Sequence, residues 1–114
     1  VLNSSGNGSF LNVADGIIWA TDHGAQVINL SLGGVSSSLV LQDSINYAYG
    51  KGVVLIAAAG NTGSNFVLYP ARYPNVIAVG AVDITNNRMG ISNFGPELDV
   101  VAPGASIYST VIGG

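Results

Sequence analysis

Val53-Val54-Leu55-Ile56-Ala57-Ala58-Ala59 is an unbroken apolar run closed by Gly60-Asn61. It is too short for an ordinary helix and carries no alternation of polar and apolar residues. Runs of this kind mark strands covered on both faces, as in parallel sheets. Working outward, Gly52 stops the element before it. That element, about Leu39 to Lys51, places Leu41, Ile45, Ala48 and Tyr49 on one side at helical spacing. Before it lies a second strand pattern, Val27-Ile28-Asn29-Leu30-Ser31-Leu32, stopped by Gly33-Gly34. Strand, helix and strand in succession form a βαβ unit, which requires a parallel sheet.

The flanks extend this pattern. Residues 3 to 9 are Asn, Ser and Gly, residues that favour turns and helix caps. Ser9 is the expected N-cap of a helix whose apolar positions are Phe10, Val13, Ala14, Ile17, Ile18 and Ala20, with Gly24 as its stop. On the other side, Tyr69-Pro70-Ala71-Arg72-Tyr73-Pro74 is extended and turn-like, because each Pro biases its predecessor away from helix. Val76 to Val82 is a third buried strand, and Asp83 to Arg88 a polar turn. Short extended pieces are expected near Ile91–Phe94, Leu98–Ala102 and Ile107–Thr110. The chain reads as one α/β layer structure over 1–114, without internal repeat or linker.

Composition narrows the function classes. Charged residues are 8% of the 114, the net charge is −3 and there are 16 Gly. An ordinary soluble domain carries about 25% charged residues. Without clustered Lys and Arg, nucleic acid and anionic membranes are disfavoured as partners. No apolar run approaches the roughly 18 residues that span a bilayer. The absence of cysteine excludes disulfides and thiolate zinc motifs. So few charges imply either a surface clad in Ser, Asn, Thr and Gly or a piece of a larger body.

The titratable residues offer little unaided chemistry. His23 closes the first helix, where an imidazole complements the helix C-terminus. Asp15, Asp22 and Asp43 fall on helix surfaces. Glu97 and Asp99 either share a hard cation or solvate a turn. No Gly-x-Ser-x-Gly elbow and no phosphate loop occurs. What remains is the pair of strand ends, Ser31-Leu32-Gly33-Gly34 and Ala58-Ala59-Gly60-Asn61. In parallel sheets, ligands bind beyond the carboxyl ends of the strands. From the residues alone, Gly60-Asn61 is either a simple turn or a neutral amide donor at that edge.

Several segments taken together carry a resemblance. They are Gly16-Ile17-Ile18-Trp19-Ala20, Val27 to Gly34, Ala57-Ala58-Ala59-Gly60-Asn61, Tyr69 to Pro74, Ile77 to Asp83 and Val101-Ala102-Pro103-Gly104. Their order and spacing resemble the subtilisin family of serine endopeptidases (subtilases), in its secreted bacterial branch. The resemblance implies a three-layer α/β fold with a mainly parallel sheet, here incomplete. It implies hydrolysis of protein or peptide substrates through an acyl-enzyme, with no cofactor required for the chemistry.

By resemblance, the catalytic Asp and His precede the segment matched at Val1, and the nucleophilic Ser follows Gly114 in a Gly-Thr-Ser-Met motif. The chain then corresponds to the middle of a catalytic domain, inactive alone, with the flanking segments as its partners. Asn61 matches the oxyanion-hole asparagine. Ser31, Leu32 and Gly33 match the strand that pairs with the substrate backbone. Gly33, Gly34, Ala58, Ala59 and Gly60 match the walls of the pocket for the residue before the scissile bond, with Thr62 at its rim. Small uncharged walls imply a preference for large apolar or aromatic side chains. Leu68, however, falls at the pocket base, where a glycine often stands, and the loop before it is short. The carbonyls of Ala71, Tyr73 and Val76 match a weak calcium or sodium site, whereas Asn3–Ser9 does not match the stronger calcium loop. Two rival readings are a non-catalytic peptide-binding or structural module of the same fold, and a small α/β nucleotide binder that lacks any phosphate loop.

Overall fold

A computed structural model describes residues 1–110. Its elements run α1 (Phe10–Asp22), β1 (Val27–Leu30), α2 (Leu39–Gly50), β2 (Val54–Ala58), β3 (Val76–Val82) and β4 (Val100–Pro103). The four strands form one sheet in the order β1-β2-β3-β4, parallel throughout. The expected βαβ unit is β1-α2-β2. Ser9 caps α1 by accepting a hydrogen bond from the Asn12 N–H at 3.1 Å. Ser38 does the same for α2 through Leu41. Gly24 and Gly52 follow the helices at φ +85° and +83°, the left-handed region that a side chain disfavours.

The register sorts side chains onto two faces. Ile28↔Leu55↔Val76 and Leu30↔Ala57↔Ala78 point to one side. There they pack with Val13 and Ile17 of α1 and Leu41, Ile45 and Ala48 of α2 in a single core. Asn29↔Ile56↔Ile77 and Ala58↔Val79↔Val100 point to the other side. No described helix covers that face. Val27 is 57% exposed, Val54 44% and Val100 50%. The described residues therefore supply two layers of the expected three.

Some boundaries differ from the sequence expectation. The first strand ends at Leu30 rather than Leu32, because the chain beyond it leaves β2. Gly34 instead exchanges hydrogen bonds with Tyr69, at 2.8 and 2.9 Å. The second strand starts at Val54, since the Val53 N–H is spent on the Ala48 carbonyl at the end of α2. Of the three short extended pieces, the middle one becomes β4. Residues 91–94 join no ladder, because their N–H groups bond into loops, Ser92 to Met89 and Asn93 to Gly60. Residues 107–110 also form no strand. Gly114, the C-terminal reference point of the resemblance, lies outside the described residues. Asn29, expected in a buried strand, is exposed on the open face.

Candidate functional site

The carboxyl ends of β1 and β2 lie side by side, and two cavities lie beside the segment that leaves β1. One, of about 390 Å³, lies on the open face of the sheet. Ser31, Ala58, Ala59, Gly60 and Asn61 line it, with Asn29 beside them. The other, of about 320 Å³, lies on the helix side and is lined by Ser31, Leu32, Gly33 and Gly34 together with Phe10 and Tyr69. Ser31 belongs to both. The cleft residues expected from the sequence thus divide between the two cavities: Ala58, Ala59, Gly60 and Asn61 line one, Leu32, Gly33 and Gly34 the other, Ser31 both, and Thr62 neither.

Asn61 is exposed, and its side-chain amide takes part in none of the hydrogen bonds among the described residues. It is an uncharged double donor held at the head of the cavity. Gly60 precedes it at φ +116°, which no other residue adopts readily. A Cβ on Gly60 would stand 2.7 Å from Leu68 Cγ, and one on Gly33 would stand 3.1 Å from Leu68 Cβ. Leu68 therefore projects between the two walls and makes the space between them shallow.

Thr62 is anchored rather than free. Its N–H and its hydroxyl both donate to Asn93 Oδ1, at 2.8 and 2.9 Å. Asn93 is fully buried, and the sequence reading passed over it. Its neighbour Ser92 is also buried, accepting from the Ala81 N–H at 2.8 Å. Neither stands out in the sequence, because Ser and Asn are mostly exposed residues and nothing in the short extended piece expected near Ile91–Phe94 marks them for burial. Their burial is set by contacts more than ten residues away.

The remaining candidates resolve as follows. His23 stacks on Trp19 at 4.0 Å, and its Nδ1 lies 2.7 Å from the Trp19 carbonyl, so that nitrogen carries the proton and donates. It caps α1 away from the cleft. Asp22 accepts from the Tyr47 hydroxyl at 2.6 Å, and this bond, with the nearby carboxylate charge, raises the Tyr47 pKa. Glu97 and Asp99 are engaged by separate protein partners. Glu97 pairs with Arg72 at 2.8 Å, while Asp99 accepts from the Ala78 N–H. Among the described residues no group of three His, Cys, Asp or Glu side chains stands ready for a metal. Ala71, Tyr73 and Val76 are buried. The Ala71 carbonyl accepts none of the loop hydrogen bonds among the described residues, and a carbonyl oxygen is a hard donor of the kind sodium and calcium take. Among the described residues no helix is long and apolar enough to cross a membrane.

A parallel α/β sheet with a cleft at the carboxyl ends of its strands is the general ligand-binding plan of this fold class. Comparison with known proteins is specific. Residues 1–113 match the profile of the Subtilase family, Peptidase S8. Subtilisin DY of Bacillus licheniformis is 54% identical over 96% of this chain and 42% of its own length. Thermitase of Thermoactinomyces vulgaris is 50% identical over 96% of this chain and 39% of its own length. Among solved structures, the prenylagaramide maturation protease PagA superposes with a TM-score of 0.85 at 33% identity, covering 90% of this chain and 39% of that one. The chain belongs to the subtilase family. It spans about two-fifths of the length of these relatives.

Proposed function

We propose that this chain forms the substrate cleft and one oxyanion-hole donor of a secreted subtilisin-like serine endopeptidase. The observation that carries the reading is Asn61, an amide with no partner among the described residues, lining a cavity at the carboxyl ends of the strands in a chain of this family. In the reaction, a serine supplied by flanking sequence adds to the peptide carbonyl. The carbonyl oxygen takes up the negative charge, and the Asn61 N–H donates to it. A donor fixed before the charge develops needs no reorganisation during the step. Collapse of the tetrahedral intermediate expels the amine and leaves the acyl-enzyme, which water then hydrolyses.

The substrate lies along Ser31–Gly33. Pairing of β1 with β2 ends at Leu30, so an extended peptide adds to the Ser31–Gly33 segment by main-chain hydrogen bonds. The side chain before the scissile bond enters between Gly33-Gly34 and Ala58-Ala59-Gly60, with Thr62 at the rim. These walls carry no charge, and Leu68 limits the depth. The preference is therefore for apolar side chains of modest size, which narrows the large-aromatic preference implied by the small walls alone. The carbonyls of Ala71, Tyr73 and Val76 would hold a weakly bound sodium or calcium ion, which would brace the turn before β3 and take no part in the chemistry.

By this reading the 114-residue chain has the cleft but not the nucleophile. A fluorophosphonate reagent should add once to the complete protease and not at all to the 114-residue chain, as read by intact mass. An adduct on the chain itself would refute the missing nucleophile. A complete protein that takes no adduct and cleaves no peptide would be the non-catalytic module instead.

A further inference from the structure

The Asn61 side chain is untethered, so its position depends on the residues on either side. Both are held by Asn93. The Asn93 N–H donates to the Gly60 carbonyl at 3.0 Å. Its Oδ1 accepts from the Thr62 N–H at 2.8 Å, the Thr62 hydroxyl at 2.9 Å and, more weakly, the Ser64 N–H at 3.3 Å. Its Nδ2 donates to the Phe66 carbonyl at 3.0 Å. These partners fix which end of the amide is which, since a reversed amide would set N–H against N–H. Asn93 is 0% exposed, so the amide itself is shielded from water although Thr62 and Ser64 reach the surface. Buried amides of this kind are costly to leave unmatched and rigid when matched. The backbone runs in support, with Gly63 N–H bonded to the Ile91 carbonyl at 2.7 Å and Phe94 N–H to the Ser64 carbonyl at 3.1 Å. A side chain on Gly60 would run into Asn93 Nδ2, so Gly60 is also what lets the amide approach.

We infer that Asn93 is a positioning residue for catalysis. It clamps the backbone before and after Asn61 and thereby sets the oxyanion donor. The inference rests on the oxyanion reading of Asn61. A buried asparagine that merely filled the core would affect stability. One that aims a donor affects turnover, because a donor displaced by about 1 Å can cost about 10² in rate.

The test compares Asn61→Ala, Asn93→Ala and the double variant in the complete protease, with kcat and KM measured separately on a chromogenic peptide. Asn61→Ala should lower kcat by about 10²–10³, the loss known for this donor in subtilisin itself. Asn93→Ala should lower kcat by roughly 10² with KM little changed. The double variant should be no slower than Asn61→Ala alone, since residues that act as a unit are not additive. Losses that multiply in the double variant, or an Asn93→Ala enzyme with parental kcat, would overturn the inference while leaving the oxyanion reading in place. An Asn61→Ala enzyme with parental kcat would overturn the oxyanion reading and the inference with it. Should Asn93→Ala fail to fold, Asn93→Ser is read by the same kinetics and by hydrogen exchange at the Thr62 and Ser64 amides. Fast exchange is expected there, and parental protection would overturn the clamp.

Discussion

Asp83 shows how much of a turn one carboxylate can organise. It accepts from the Thr85 hydroxyl at 2.7 Å, the Thr85 N–H at 2.8 Å and the Asn87 N–H at 3.0 Å. The Thr85 hydroxyl and then the backbone donors hold its pKa below the ordinary 3.8. A depressed carboxylate contributes stability that is complete above the unfolded value and is lost as the pH falls through the lower folded value. Asp83→Ala should therefore lower the thermal midpoint of the intact protein at neutral pH. That gap should close as the pH drops below the ordinary carboxylate range. A gap that persists unchanged at acid pH would contradict the account. This turn is legible in the sequence, because Asp, Thr and Asn bond to their own backbone locally. Asn61 is singled out only by the family resemblance, since its place after an apolar strand equally fits a simple turn. The clamp made by Asn93 is not legible, because its partners in it lie 27 to 33 residues away along the chain. The salt bridge of Arg72 to Glu97 escapes the sequence for the same reason.

The elements were read from periodicity, and their cores are right where their ends are not. An apolar run shows where a strand lies but not where its neighbour departs. Leu30↔Ala57 is the last pair of β1 with β2, and Ser31-Leu32 peel away to form the cleft instead. The proposed substrate segment is thus the part that pattern assigns to the strand. The loop from Gly60 to Leu68 is the other wall, and its short span brings Leu68 between Gly33 and Gly60. Replacing Leu68 by Gly should deepen the pocket. The ratio of kcat/KM for Phe over Ala before the scissile bond should rise by at least about 10-fold, since apolar pockets discriminate by that order per methylene. An unchanged ratio would show that Leu68 does not form the base.

At the scale of the molecule, the shortage of charge becomes intelligible. Ser, Asn and Gly solvate the loops, and one face of a largely apolar sheet stands bare. Ile56 and Val79 line this face beside the cavity that Asn61 heads, while Val54 and Ile77 lie further from it. A parallel sheet is normally covered on both sides. The chain also spans only about two-fifths of its subtilase relatives. On the proposed reading, this is also the face from which the reacting groups would approach Asn61. The most direct test is a crystal structure of the complete protease bound to a peptide boronic acid, which mimics the tetrahedral intermediate. The account predicts Asn61 Nδ2 about 2.7–3.1 Å from the boronate oxygen that replaces the carbonyl oxygen, with the peptide paired to Ser31–Gly33. An Asn61 amide turned away from that oxygen, or a peptide bound elsewhere, would contradict it.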